Sequence, residues 1–246
     1  TVALDLADRA QTPVLVMSDL ELGMNDNLSE PLQWDDQTRY DRGKVLDSDA
    51  LQRSEVFGRY LDVDGDGTGY RTLPGTHPDK GAFFTRGTSR DEFAAYTESP
   101  EAYERNMQRL ELKWQTIRGL VPAAEIEDQS QRVGVLFYGT TALPMREALD
   151  LLLEDGIALD SCRVRAFPFG ADVESFVQSN DLVFVVEQNR YAQMRTLLIN
   201  ELQTSPAKLV PILYYAGLSI SADTIHQQIS EYYIANRLAR ISEVQS

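Results

Sequence analysis

Cys162 is the only cysteine in this chain of 246 residues. One thiol excludes an intramolecular disulfide and cannot supply the four thiolates of an iron–sulfur cluster. Its setting, ALDSCRV, reads as a buried strand in which a free cysteine behaves as a small apolar residue. Positive charge is also scarce: 23 Lys and Arg face 38 Asp and Glu, a formal net charge of −15. That balance argues against nucleic acid or an anionic membrane as a partner, since both demand concentrated cations. Any anion site must be a local cluster of cations working against the overall field. No apolar run reaches about 18 residues and no basic-then-apolar signal opens the chain, so a cytoplasmic protein is expected. No G-x-G-x-x-G follows a strand, and Walker loops, G-x-S-x-G elbows and His/Cys metal signatures are missing.

What is present is a globular composition, 43% apolar and 25% charged, long enough for one large domain or two ordinary ones. The opening TVALDLADRA reads as the last turns of a helix feeding an apolar strand, PVLVMSDL. A domain rarely begins by finishing a helix, so this is expected to be the later part of a longer polypeptide. Ser99, Pro100 and Glu101 form a helix start signal. Tyr103, Met107, Leu110, Trp114 and Ile117 then recur at helical spacing as a stripe expected to be core. The polar segment Val121 to Gln131 reads as a linker. Beyond it, runs such as VGVLFY and LVFVVE alternate with helical patterns and predict βαβ crossovers and a mostly parallel sheet.

The stretch Phe57 to Gly87 is long, poor in aliphatic residues and rich in Gly, Asp, Thr and aromatics, the profile of an ordered functional loop. Within it Asp62, Asp64, Asp66 and Gly67 give D-x-D-G-D-G, the opening of a calcium loop of the EF-hand kind. Its twelfth position is Leu73 where a bidentate Glu belongs, which rejects the full motif and leaves a partial divalent-ion loop or a solvated acidic turn. Downstream, Arg71, Thr72, His77, Lys80 and Arg86 offer cations and hydroxyls suited to a carboxylate or phosphate ligand. The bland alternative is a surface loop whose cations pair with surrounding acids. Gly139, Thr140 and Thr141 could cup an anion at a βα turn. Glu187 and Asn189, at the carboxyl end of a strand, could edge a pocket or interface, or simply hydrogen-bond the next helix.

SDLELGMNDNLSEP (18–31), DRGKVL (41–46), FGRYLDVDGDG, YRTLPGTHPDKGAFFTRG, RAFPFG (165–170) and VFVVEQNR (183–190) together resemble the α subunit of 2-oxoglutarate:ferredoxin oxidoreductase, of the 2-oxoacid:acceptor oxidoreductase family. The resemblance implies CoA-dependent oxidative decarboxylation of 2-oxoglutarate to succinyl-CoA, with electrons passed to ferredoxin or another acceptor. It implies thiamine diphosphate, Mg2+ and a [4Fe-4S] cluster, carried mainly by a partner β subunit. Residues 1–125 would be the tail of a pyrimidine-side thiamine-binding-like domain, 130–232 a transketolase C-terminal-like α/β domain, and 233–246 a tail. The family's upstream Tyr-Pro-Ile-Thr-Pro type motif and its activating Glu have no counterpart here, so no catalytic residue is carried over. Arg71, His77, Lys80 and Arg86 are then expected to recognise a distal carboxylate or to position CoA. The same chemistry on pyruvate or a branched-chain 2-oxoacid, or a purely structural role in assembly, are the alternatives.

Overall fold

Along LVFVVE, the side chains of Val183 and Val185 enter one apolar core and those of Phe184 and Val186 another, all of them completely buried in the computed structural model. A strand apolar on both faces needs cover on both faces, and here helices supply it. The structure describes residues 2–26 and 28–244, with side chains described as far as residue 236. The chain divides into two units, one of residues 1–17 and 29–121, the other of residues 18–28 and 122–246.

The second unit holds a five-stranded sheet of order β1-β3-β2-β4-β5, with β1 at Glu125–Glu127, β2 at Val133–Tyr138, β3 at Asp160–Val164, β4 at Leu182–Glu187 and β5 at Leu209–Leu213. All pairings are parallel except β1 with β3, so the mostly parallel α/β sheet expected from the sequence is present. Helices α5 (Ala142–Glu154) and α8 (Ala222–Val244) cover one face, through Met145, Ala148, Leu152, Ile225 and Ile229. Helices α6 (Ala171–Ser179) and α7 (Gln193–Leu202) cover the other, through Val173, Phe176, Val177 and Leu198. Phe176 presses so closely on β2 that a Cβ at Gly134 would lie 2.6 Å from its ring. Cys162 is fully buried in this layer, and burial pushes its thiol up to about 12. Segment Val121 to Gln131, expected to be a linker, contributes the edge strand β1, whose Ile126 pairs in register with Cys162. Its polar composition suits an edge, where one side of the ladder faces water.

Glu187 closes β4 with a carboxylate that is 0% exposed. It accepts hydrogen bonds from the backbone amides of Met194 (2.7 Å) and Arg195 (3.0 Å) in the first turn of α7 and from the Asn189 amide (2.8 Å). Asn189 Oδ1 in turn accepts from the amides of Tyr191 and Gln193. Of the roles left open for this pair, the geometry displays the bond to the next helix.

The first unit has little regular structure: α1 at Val2–Ala10, α3 at Ser48–Arg53 and the long α4 at Pro100–Arg118, while α2 (Leu20–Met24) counts with the second unit. Ser99 caps α4 as its sequence indicates, accepting from Ala102 N at 3.2 Å. Two expectations are corrected. Residues 13–19 form no strand; Leu15, Val16 and Met17 are 83%, 78% and 82% exposed, and no strand among the described residues pairs with their backbone. The α4 stripe is not core either, since Tyr103, Met107 and Leu110 are exposed and only Ile117 of the five is buried. The face that α4 turns inward is polar.

Removing the Glu187 carboxylate leaves two α7 amides and Asn189 without their acceptor. Glu187→Ala should therefore cost about 1.5–3 kcal/mol in urea unfolding at unchanged m-value, and Glu187→Gln should recover part of it.

Candidate functional site

The inward face of α4 carries Asn106, Arg109, Lys113 and Thr116, spaced by three and four residues. It packs on the backbone of the Asp66–Thr68 turn. Thr116 donates to Asp66 O at 2.8 Å and Arg109 Nη1 to Gly67 O at 2.8 Å. Gly67, at φ +78°, touches the helix so closely that a Cβ would lie 2.2 Å from Lys113 N. Only glycine satisfies both the left-handed conformation and this approach.

Beside the contact lies a cavity of about 240 Å3, walled by Arg59, Tyr60, Ser89, Arg90, Arg109 and Lys113 among others. That volume is below what drug-sized ligands occupy and suits a small anion. Three guanidinium groups surround the Tyr60 ring, with Arg59, Arg90 and Arg109 at 5.1, 5.5 and 5.6 Å from its centroid. Cations so placed gain from the ring's quadrupole without being neutralised. Their hydrogen bonds go to neutral groups: Arg90 to Gly87 O and the Tyr60 hydroxyl, Lys113 to Gln11 O (3.2 Å) and Thr12 Oγ1 (2.6 Å). The Arg59 guanidinium lies over the rings of Tyr60 and Phe83.

Electrostatics reflect this crowding. Burial lowers the Lys113 pKa below its ordinary value, and the charges of Arg109 and Arg59 lower it further. Burial likewise lowers Arg59, assisted by Arg71 and Arg109, and lowers Arg109 despite the nearby Asp62. Burial alone would raise the Tyr60 phenol, but hydrogen bonds with Thr85 and Arg90 and the charges of Arg90 and Arg59 bring it below its usual value. The buried Ser89 hydroxyl lining the cavity has no hydrogen-bond partner. Half-buried cations facing one another around a spare hydroxyl, in a chain of net charge −15, have the chemistry that a small anion would complement.

None of the loop residues singled out in the sequence lines this cavity. Arg71 donates to Asp8 Oδ1 and to Arg42 O, each at 2.9 Å, and with Arg42 it holds the Asp8 carboxyl below its usual range. Thr72 donates to Gly81 O at 2.6 Å. His77 accepts at Nδ1 from the amides of Asp79 and Lys80, which leaves Nε2 to donate to Gln52 Oε1 (2.8 Å); Lys80 Nζ reaches Gln52 O on α3. Arg86 stacks on Tyr96. Asp62, Asp64 and Asp66 do not converge as a trio, and among the described residues no group of three or more His, Cys, Asp or Glu is placed to hold a metal. In the second unit a larger cavity of about 750 Å3 opens at the turn 139–141, where Thr140 donates to Asp19 Oδ2 (2.7 Å), the chain's own carboxylate. The apolar stripe dominates the sequence pattern of α4, although Tyr103, Met107 and Leu110 line the same cavity beside Arg109 and Lys113. The polar spacing of Asn106, Arg109, Lys113 and Thr116 was the available signal.

No family model matches the chain. It is 30% identical over 204 residues to the alpha subunit of 2-oxoacid:ferredoxin oxidoreductase 2 of Aeropyrum pernix, covering 80% of this chain and 30% of that protein. Its fold matches the structure of a 2-oxoglutarate:ferredoxin oxidoreductase from Magnetococcus marinus with a TM-score of 0.76 over 93% of this chain and 38% of that one, at 22% identity; that structure holds 2-oxoglutarate, coenzyme A and succinyl-CoA. A Thermoplasma acidophilum alpha chain of a probable 2-oxoacid ferredoxin oxidoreductase overlaps 45% of this chain at a TM-score of 0.31 and 23% identity, too distant to bear on the site. The chain thus spans about a third of the length of these first two relatives. The resemblance carried by its sequence motifs is borne out.

An anion in the cavity should raise the melting temperature. Glutarate or inorganic phosphate is expected to stabilise the wild-type protein, and Arg109→Met should abolish most of that shift in a thermal scan. The effect should also weaken as pH rises through the lowered Lys113 pKa, below the ordinary lysine value of 10.5, because the ammonium loses its charge. Without the anion the sign is opposite. The unfolded lysine holds its proton to higher pH than the folded one, so the cost of burying the charge is relieved across that window and stability rises.

Proposed function

We propose, starting from the chain's kinship with the alpha subunits of 2-oxoacid:ferredoxin oxidoreductases, that it forms part of such a subunit and serves CoA-dependent oxidative decarboxylation of 2-oxoglutarate to succinyl-CoA. The observation that carries the reading is the sequence identity shared over 204 residues. Electrons would pass to ferredoxin or another acceptor. The preference for 2-oxoglutarate rests on the cavity: a dicarboxylic substrate presents a second carboxylate that pyruvate lacks, and Arg59, Arg109 and Lys113 supply half-buried cations that make no ion pair with a carboxylate among the described residues, although the charge of Asp62 acts on Arg109. These residues would bind and orient the distal carboxylate, with Ser89 donating to it. Charge-assisted hydrogen bonds in a partly desolvated setting are the strong ones. Lys80 and Arg86, both exposed, together with Arg71, Thr72 and His77 would then meet phosphate groups of CoA at the rim.

The described residues do not fit the redox cofactors. The lone thiol is buried with its pKa raised, and three or more candidate metal ligands nowhere converge among the described residues. Thiamine diphosphate, Mg2+ and the [4Fe-4S] cluster that the resemblance implies would be carried mainly by a partner β subunit.

The complex with the β subunit should reduce a viologen dye in the presence of CoA faster with 2-oxoglutarate than with pyruvate or a branched-chain 2-oxoacid. Arg109→Ala and Arg59→Ala should each raise the KM for 2-oxoglutarate more than about tenfold while changing the pyruvate reaction little. A complex that prefers pyruvate, or variants with unchanged kinetics, would overturn the 2-oxoglutarate assignment.

A further inference from the structure

The D-x-D-G-D-G turn has the residue order of a calcium loop without convergence of its three aspartates: Asp64 and Asp66 meet a lysine from a distant stretch, while Asp62 accepts from the amides of the turn itself. In a loop of the EF-hand kind the first, third and fifth side chains and the seventh backbone carbonyl face the ion, with glycine sixth to allow the turn. Here those positions are Asp62, Asp64, Asp66 and Thr68, with Gly67 sixth. Lys44 Nζ lies 2.7 Å from Asp64 Oδ2, 2.7 Å from Asp66 Oδ1 and 3.0 Å from Thr68 O. The three protons of the ammonium thus meet the third, fifth and seventh ligands of the loop.

The remaining ligand has been reassigned. Asp62 accepts from the backbone amides of Gly65 (2.9 Å), Asp66 (3.2 Å) and Gly67 (2.9 Å), which shapes the turn from inside. Lys44 is itself well held. Its side chain is only 19% exposed and its ammonium sits 5.2 Å from the centre of the Tyr70 ring. Burial works against its charge, yet the bonds to Asp64 and Asp66 outweigh burial and raise its pKa. The Asp64 carboxyl is held below its usual range by Lys44 and then Tyr70.

We propose that Lys44 is a tethered replacement for a metal ion, so that Asp64, Asp66 and the Thr68 carbonyl are drawn together by an ammonium without any divalent cation, and the turn takes calcium only when that ammonium is taken away. The same loop supplies Gly67 O to Arg109 and Asp66 O to Thr116, so the ammonium is a positioning group for the wall of the cationic cavity. Two carboxylates and one carbonyl, completed by water, would hold calcium weakly, in the millimolar range; magnesium, which demands stricter octahedral geometry, would hold less well.

The experiment uses the intact protein and two substitutions, Lys44→Ala and Lys44→Met, the second keeping the alkyl stem over Tyr70. The wild-type melting temperature should be indifferent to millimolar calcium, and calorimetry should show no binding. Each variant should melt about 5 °C lower or more, and calcium should restore most of the loss. If a variant does not fold without calcium, refolding in its presence supports the same conclusion. Adding Asp64→Asn to Lys44→Met should remove the calcium response. Calcium binding by the wild-type loop, or variants on which calcium has no effect, would overturn the proposal.

Discussion

The contact between the Asp66–Thr68 backbone and helix α4 is the constraint on which the first unit depends. It requires glycine at 67, since any Cβ would collide with the helix backbone. It sets the polar face of α4 inward, because the loop offers carbonyl oxygens and the helix answers with Arg109 and Thr116. Once those two bonds are made, Lys113 follows on the same face and finds Gln11 and Thr12. A unit with few apolar buried residues is thereby organised around backbone carbonyls and cations.

An excess of acids makes the distribution of cations informative. Several pair with acids at the surface: Arg42 on Asp8, Arg105 on Glu92 and Arg132 on Asp181. Exposed pairs of this kind contribute little to stability, about 1 kcal/mol or less. Arg59, Arg90, Arg109 and Lys113 depart from that habit. Arg59, Arg90 and Arg109 sit against a tyrosine ring and Lys113 against neutral acceptors, and burying Arg59, Arg109 and Lys113 carries an electrostatic cost that a bound anion would offset.

The second unit was largely legible in the sequence because its rules are local. Up to Glu187, LVFVVE is apolar on both faces, as is VGVLFY, which requires two covered faces, and helices with apolar stripes follow these strands at crossover length. The first unit was not, for two reasons. PVLVMSDL has the composition of a strand, but a strand is a property of a pair, and the described chain offers it no partner. In α4 the apolar stripe and a polar stripe coexist at the same spacing, and which one turns inward is decided by a loop carbonyl that periodicity does not report. The loop is rich in reactive groups. The cations that gather were nevertheless Arg59 within it and Arg90, Arg109 and Lys113 beyond it, brought together by tertiary packing. Asp62, Asp64 and Asp66 illustrate the same limit, since nothing near them in the chain announces Lys44.

The burial of Cys162 gives the chain an unplanned convenience. A thiol enclosed between β-sheet and helix, protonated up to a pH of about 12, is silent toward alkylating reagents while the sheet stays closed. A cysteine introduced at any exposed position would then be the sole reactive handle for a fluorophore or spin label. The native thiol would serve as a clock for the sheet, since its modification rate follows how often the layer of α6 and α7 lifts away.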